Sequence, residues 1–161
     1  MESINTSLST KTKKEVISAL SKELANYQVF YATLQNFHWH VKGENFFDLH
    51  IKLEEMYNAV FEKIDQTAER IVGLGGTAPA SLSEYINLTT LTEYKGSSNK
   101  DSKEMVNALV QQLEKIIDSH RKSIEVCEAE ENFSDELTID MLVGFLGDLE
   151  KDLWMLSKFN A

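Results

Sequence analysis

Four long segments of this chain repeat apolar residues at steps of three and four, which is the period of helices that bury one face. The first and last segments carry the fullest rows: Ile17, Leu20, Leu24, Tyr27, Tyr31 and Leu34, and then Ile139, Leu142, Leu146, Leu149, Leu153 and Leu156. The pattern predicts an all-α fold in which four long helices, A to D, pack around a common core.

Capping residues and glycines mark the ends of these helices. Ser, Thr, Asp and Asn favour helix N-termini, a Glu three residues later completes a capping box, and Gly favours the C-terminal end. On these signals, helix A starts at Thr12 and stops before Gly43, B runs from Asn45 to Val72, C opens at Asp101, and D runs from Asp135 or Thr138 to Ser157. Residues 1–11, rich in Ser, Thr and Asn, are expected to form a flexible N-terminal segment, which leaves 12–161 as a single domain.

The connection between helices B and C is much longer than the other two. It covers residues 73–100, whereas neighbouring antiparallel helices in bundles are usually joined by about 2 to 8 residues. This crossover contains a predicted short helix over residues 81–87. One long crossover between two short turns is the arrangement of a ferritin-like four-helix bundle. The alternative, a growth-factor-like bundle, needs two long connections, and the A to B link is too short for that.

Helix B carries an unusual second stripe of side chains. At about 100° per residue, His50, Glu54, Asp65 and Glu69 fall within an arc of roughly 100°. The same arc holds large apolar residues, namely Phe47, Phe61 and Val72. A wider stripe forms an ordinary core face from Leu53, Met56, Tyr57, Val60, Ile64 and Ile71. We therefore expect helix B to bury two faces.

The spacing of the polar residues in this stripe restricts how they bind a metal. At 1.5 Å per residue, Glu54 and Asp65 lie roughly 16 Å apart along the helix axis. Bonds from a metal to nitrogen or oxygen are about 2.0 to 2.2 Å, so the pairs His50 with Glu54 and Asp65 with Glu69 cannot close one site within a chain. Two antiparallel copies of the helix, related by a two-fold axis, would bring the upper pair of one copy to the lower pair of the other. The sequence thus predicts two equal intersubunit sites.

The residue types narrow the choice of metal. Imidazoles with carboxylates suit iron, manganese or zinc. The chain has a single cysteine, Cys127, and the absence of paired cysteines argues against a thiolate zinc site or an iron–sulfur cluster. Di-iron bundles ordinarily use Glu-x-x-His motifs inside one bundle, and none of the four histidines here follows a Glu by three residues. The intersubunit array remains, and the ferritin-like frame favours iron.

The other histidines and the cysteine have structural interpretations. His120 lies on the apolar row of helix C and is expected to be a hydrogen-bonded core residue. His40 is expected at the surface. Cys127 is interpreted as a packed thiol, because no base lies within helical reach to activate it.

Two stretches of this array resemble the Dps-type miniferritins, the family of DNA-binding proteins from starved cells within the ferritin-like superfamily. They read FHWHVKGENFFDLHIKLEE, from Phe37, and IDQTAERIVGLGG, from Ile64. The family has His-Trp at the end of helix A, a His twelve residues later, an acid four further on, and Asp-x-x-x-Glu-Arg before a Gly-rich stop. The resemblance covers nearly the whole chain.

The resemblance implies a ferroxidase with a di-iron site. Its ligands are His38, His50 and Glu54 of one subunit with Asp65 and Glu69 of the partner. Many members have Asp where this chain has Glu54, and the extra methylene is expected to shift the metal or to change its affinity without abolishing binding. The family assembles as a hollow dodecamer that oxidises Fe(II), preferably with hydrogen peroxide, stores ferric mineral and so protects the cell from oxidative damage.

The resemblance implies roles for two further residues, and each of them also has a simpler structural explanation. Trp39 adjoins the site and is expected either to scavenge radicals or to pack at the interface. Asp140 lies where family members line an iron-entry pore, although an acid near a helix N-terminus is also expected from the helix dipole.

The charge bears on the alternative function, a nucleoid protein that binds and protects DNA. A net charge of −10 repels phosphates and attracts cations, so DNA binding is expected to be weak or absent. The basic cluster of Lys11, Lys13 and Lys14 is small and is interpreted as a solvated first turn. The chain shows neither a leader pattern nor an apolar run long enough for a membrane, so a cytoplasmic location is expected.

Overall fold

The computed structural model describes residues 6, 8–96, 100–128 and 134–159, and these form five helices without a strand. The helices are α1 Thr10–His40, α2 Phe46–Gly73, α3 Leu82–Leu88, α4 Ser102–Glu128 and α5 Glu136–Ser157. The four long helices are the predicted A to D, and α3 is the short helix of the crossover. The all-α prediction is confirmed.

The long helices pack as two connected pairs. Helix α1 packs along α2 and also against α4 and α3, while α4 packs against α5. Each long helix gives fully buried side chains to one core, for example Leu20, Phe30, Leu53, Leu113 and Leu142. In the described part of the chain, none of the helices has the length and apolar character needed to cross a bilayer.

The start of α1 differs from the prediction. Ser9 is its N-cap and accepts a hydrogen bond from the Thr12 backbone N–H at 3.1 Å. The predicted start at Thr12 is therefore two residues late, because a serine upstream caps the helix first. Leu8 packs against the core, while residues 1–5 and 7 of the predicted flexible segment lie outside the described residues.

The predicted N-caps of α4 and α5 are confirmed, whereas Asn45 precedes α2 without a capping hydrogen bond from its side chain. Asp101 and Glu104 form a reciprocal box, with backbone-to-carboxylate distances of 2.9 and 2.8 Å. Of the two predicted starts for the last helix, Asp135 is the N-cap, and it accepts from the Thr138 N–H. Ser81 caps α3 in a complete capping box with Glu84.

Buried amide side chains hold the crossover against the bundle. The Asn26 Oδ1 atom accepts from the Thr89 hydroxyl at 3.0 Å and from the Thr90 N–H at 2.9 Å. The Asn36 amide donates to the Tyr94 carbonyl at 2.8 Å. These bonds satisfy backbone groups of a segment that has little regular structure of its own.

Candidate metal centre

A tight turn between α1 and α2 brings two predicted ligands together. Helix α1 ends at His40 with Val41 as its C-cap, Gly43 takes a φ of +99°, and α2 begins at Phe46. The His38 and His50 rings stack with their centroids 3.7 Å apart and their planes 18° apart. Glycine suits this turn because it adopts a positive φ without steric strain.

The two imidazoles hold each other through the backbone. His38 Nδ1 lies 2.8 Å from the His50 carbonyl, and His50 Nδ1 lies 2.9 Å from the His38 carbonyl. A carbonyl only accepts, so both Nδ1 atoms carry a proton, and in the neutral form of each ring the lone pair is on Nε2. Such an outer hydrogen bond is the usual way in which a metal-binding histidine is oriented. The donor set therefore fits a metal.

Glu54 lies one helical turn after His50 and is exposed. The Tyr57 side chain, one turn further, contacts both neighbours: its hydroxyl bonds to Glu54, and its ring centroid lies 5.4 Å from that of His38. Desolvation, together with the Glu54 charge, raises the pKa of the Tyr57 phenol above its ordinary value. We call His38, His50 and Glu54 the histidine half-site.

Asp65 and Glu69 are exposed one turn apart further along α2, and we call them the acidic half-site. The eleven residues between Glu54 and Asp65 correspond to roughly 16 Å of helix. Within the described ranges, no three His, Cys, Asp or Glu side chains stand close enough together to hold one ion. The structure brings His38 and His50 together and leaves the two half-sites apart within one chain.

Arg70 ties the acidic end of α2 to α5. Its guanidinium donates to Asp135 at 2.6 Å and to the Thr138 hydroxyl at 2.7 Å, and the Asp135 side chain is buried. Asp135 thus serves as the N-cap of α5 and as the partner of Arg70 at once. The arrangement sets the position of α5 relative to Glu69.

Large apolar side chains surround both half-sites. Phe47 is 76% exposed and Phe61 is 56% exposed, and Ile51 and Val72 are also exposed. By contrast, the wider core stripe of α2 is packed as predicted, with Leu53, Met56, Val60 and Ile71 buried. The exposed stripe is the second apolar face that the sequence predicted.

Trp39 and Asp140 lie near opposite half-sites. Trp39 follows His38 near the end of α1 and is 65% exposed. Asp140 is exposed on α5 and shares a shallow groove with Glu69, Gln66 and Arg70. Neither side chain is packed in the core of the single chain.

The remaining histidines and the cysteine occupy the predicted environments. His40 is exposed, and its Nδ1 lies 2.7 Å from the Asn36 carbonyl. His120 is fully buried and hydrogen-bonded. Cys127 is buried, and desolvation raises the pKa of its thiol to about 12, so the thiol stays neutral at physiological pH.

Two polar residues were missed by the sequence reasoning. Tyr57 was assigned only to the core row, although its spacing of three from Glu54 is that of helical neighbours. Glu23 was not considered, although it follows Leu20 by three residues and precedes Tyr27 by four, which places an acid on the buried row of α1.

Known proteins are similar to this chain over nearly its whole length. Residues 17–161 match the family model of the ferritin-like domain. The chain is 38% identical over 146 residues to DNA protection during starvation protein 2 of Bacillus anthracis, covering 91% of this chain and 97% of that protein. It is 35% identical over 158 residues to the DNA protection during starvation protein of Porphyromonas gingivalis, covering 96% and 94%.

Solved structures agree in fold. Dps from Vibrio cholerae O1, described as a member of a broad superfamily of ferritin-like diiron-carboxylate proteins, superposes with a TM-score of 0.91 at 30% identity, covering 100% of this chain and 99% of that one. Dps from Bacillus brevis gives 0.88 at 34% identity, with coverages of 96% and 100%. By sequence and by fold, the chain belongs to the ferritin-like family and, within it, to the Dps-type miniferritins.

Proposed function

We propose that this protein is a ferroxidase that oxidises Fe(II), preferably with hydrogen peroxide, between two copies of the chain and stores the ferric product inside a hollow dodecamer. The observation that carries the proposal is the reciprocal bonding of His38 and His50, which leaves two Nε2 lone pairs for a metal beside the carboxylate of Glu54. The description of Vibrio cholerae Dps as a diiron-carboxylate protein supports the same chemistry.

Fe(II) is the substrate of this reaction. Imidazole nitrogens and carboxylate oxygens suit it, and the negative charges of Glu54, Asp65 and Glu69 favour the ferric product over the ferrous substrate. Two Fe(II) ions held close each give one electron to the same peroxide, which takes up two protons and becomes two waters. Because both electrons arrive together, no hydroxyl radical is released, and storage also detoxifies.

The apolar stripe supports the shared site. Burying Phe47, Phe61 and their neighbours against a second copy removes exposed apolar area from water and aligns the histidine half-site of one chain with the acidic half-site of the other. Trp39, beside His38, is then positioned to intercept a stray oxidising equivalent. Asp140, in the same groove as Glu69, is proposed to guide cations toward the acidic half-site.

Several relatives are named for protecting DNA, and two physical routes lead to such protection. A protein coats the duplex, or it removes the iron and peroxide that generate damaging radicals. A net charge of −10 favours the second route, because phosphate contacts need a surplus of Lys and Arg. We therefore propose that this chain protects DNA by removing iron and peroxide, and not by coating the duplex.

Mixing two inactive variants tests the shared site. One variant carries His38→Ala and His50→Ala, and the other carries Asp65→Ala and Glu69→Ala. Each alone lacks both sites of a dimer, whereas a mixed dimer keeps one intact site. Random co-assembly should therefore restore about a quarter of the wild-type sites, read as ferric absorbance after anaerobic Fe(II) loading and peroxide addition.

The control replaces Glu55, an exposed carboxylate next to Glu54, with Ala and should oxidise iron at the wild-type rate. No recovery in the mixed assembly, although mass spectrometry shows that both variants are present, would contradict a site shared between subunits. Wild-type oxidation by the Asp65→Ala, Glu69→Ala variant alone would contradict the assignment of the acidic half-site.

A further inference from the structure

A second polar cluster lies inside the bundle, away from both half-sites. Glu23, Tyr27 and His120 are all completely buried between α1 and α4. Burying a carboxylate, an imidazole and a phenol in a core costs free energy unless each group finds partners. The way in which these three groups are paired points to a specific chemistry.

The hydrogen bonds of His120 show which of its two ring nitrogens carries the proton. His120 Nδ1 donates a hydrogen bond to the Ile116 carbonyl at 3.1 Å, and Glu23 Oε2 lies 2.8 Å from the same nitrogen as an ion-pair contact, without a hydrogen bond of its own. Nδ1 therefore carries the proton, and in the neutral ring Nε2 is an acceptor. Tyr27 lies 2.8 Å from Nε2 and donates its phenolic proton to that atom.

The Glu23 carboxylate is held in a position where it would stabilise a positive charge on His120. Its other oxygen, Oε1, accepts from the Ser119 and Ser123 hydroxyls, which fix the carboxylate in place. No cation from Lys or Arg pairs with Glu23 among the described ion pairs. A carboxylate that is already oriented stabilises an imidazolium as soon as the ring gains a second proton.

We propose that Tyr27 is a redox-active tyrosine, which loses one electron to an oxidant while its phenolic proton moves to His120. The phenol O–H bond breaks, an N–H bond forms at Nε2, and a neutral phenoxyl radical remains opposite an imidazolium paired with Glu23. Burial and the charges of Glu23 and Asp148 raise the pKa of Tyr27 well above its ordinary value, so the phenol keeps its proton until it is oxidised.

Aromatic side chains lie between this cluster and the histidine half-site. The His38 and Tyr57 ring centroids lie 5.4 Å apart, and those of Tyr57 and Tyr31 lie 5.9 Å apart. Tyr31 lies one helical turn from Tyr27 on α1. An electron moving from Tyr27 therefore crosses one turn of α1 to Tyr31, and from there it has ring contacts as far as His38, where iron is proposed to react.

The role in the cell rests on the proposed function. When a single Fe(II) reduces peroxide, the products are Fe(III), hydroxide and a hydroxyl radical. The electron from Tyr27, with a proton from solvent, converts that radical to water. A later Fe(II) returns the electron and becomes Fe(III), while His120 gives its proton back to Tyr27.

An iron-free experiment tests the tyrosine itself. The assembled full-length protein, freed of metal, is oxidised by a photogenerated ruthenium(III) polypyridyl complex and frozen for electron paramagnetic resonance. We expect a tyrosyl signal in the wild type that falls about tenfold in Tyr27→Phe. The matched control is Tyr85→Phe, whose phenol lies near Gln28 and should leave the signal unchanged. A wild-type signal in Tyr27→Phe would overturn the proposal.

A separate measurement tests the transfer of the phenolic proton from Tyr27 to His120. In the wild type, exchange into D2O should reveal one deuteron coupled to the radical, and His120→Gln should lose that coupling and slow radical formation about 100-fold, the lower end of what a positioned base contributes. Should His120→Gln fail to fold, Glu23→Gln keeps the serine bonds and should shorten the lifetime of the radical. Unchanged coupling and kinetics in the folded variant would overturn the role of the histidine. Because no iron is present, these outcomes do not depend on ferroxidase activity.

Discussion

At the scale of single residues, the site depends on which nitrogen of each histidine is free. His38 and His50 each use Nδ1 to bond the backbone carbonyl of the other, so the turn between α1 and α2 sets both tautomers at once. Tyr57 adds a third constraint because it bonds Glu54 and contacts the His38 ring. Residues beyond the candidate ligands therefore determine how well the half-site is oriented for a metal.

Tyr57→Phe tests this preparation. The variant keeps the aromatic ring against His38 and removes only the hydroxyl that orients Glu54. We expect the affinity for Fe(II) to fall about tenfold, as is usual for loss of an outer hydrogen bond at a metal site. Anaerobic titration calorimetry measures the change, with Tyr85→Phe as the control. An unchanged affinity would mean that the Tyr57 hydroxyl does not contribute to Fe(II) binding at Glu54.

Cys127 provides a residue-scale test of the core. Its thiol pKa is raised to about 12, so raising the pH from 7 to 9 leaves it protonated, and alkylation requires the thiolate. We expect native protein at pH 8 to react with iodoacetamide about a thousandfold more slowly than an ordinary thiol with a pKa near 8.5. Labelling followed by mass spectrometry measures the rate, and the denatured chain is the control. Rapid labelling of the native chain would show that α4 opens near its C-terminal end.

At the scale of elements, the N-caps of α4 and α5 offer a matched comparison. Asp101 is an exposed cap, whereas Asp135 is buried and also pairs with Arg70. Asp101→Ala should lower the free energy of unfolding by about 1 kcal/mol, as is typical of an exposed cap. Asp135→Ala should lower it by about 3 kcal/mol, because it leaves the Arg70 charge without its partner in a largely buried position.

Denaturant unfolding at one fixed protein concentration compares the two variants, since assembly contributes to apparent stability. Equal losses for Asp101→Ala and Asp135→Ala would mean that the Arg70 pair contributes nothing beyond the cap. A larger loss for Asp135→Ala would mean that the pair fixes α5 beside the acidic half-site.

The helices and the exposed stripe that carries the candidate ligands were predictable from the sequence because they follow local rules. The helical period predicted the four long helices, and the caps at Asp101 and Asp135 predicted two of their starts. The N-cap at Ser9 was missed because it and Thr12, two competing capping residues, lie three positions apart. The Glu23–His120 pair was missed because the residues are 97 positions apart, and only packing of α1 against α4 brings them together.

At the scale of the whole molecule, charge separates the two routes to DNA protection. With a net charge of −10, the protein should not retard plasmid DNA on a gel at about 0.1 M salt, where phosphate contacts are already weakened. The variant Lys11→Gln, Lys13→Gln, Lys14→Gln serves as the comparison. A band retarded by the wild type but not by this variant would restore a DNA-binding role for the N-terminal lysines.

Assembly and activity should fail together when the apolar stripe of α2 is disrupted. Phe61→Glu puts a charge where the stripe is expected to bury against a second copy, so we expect a species near the 18.3 kDa of one chain that oxidises iron no faster than free solution. Twelve copies would instead sediment near 220 kDa, about twelve times that mass. The control, Ala59→Glu, adds the same charge to an exposed position about 180° around α2 from His50 and should remain assembled and active. Analytical ultracentrifugation with the peroxide assay decides the matter, since an active monomer of Phe61→Glu would require a complete site within one chain.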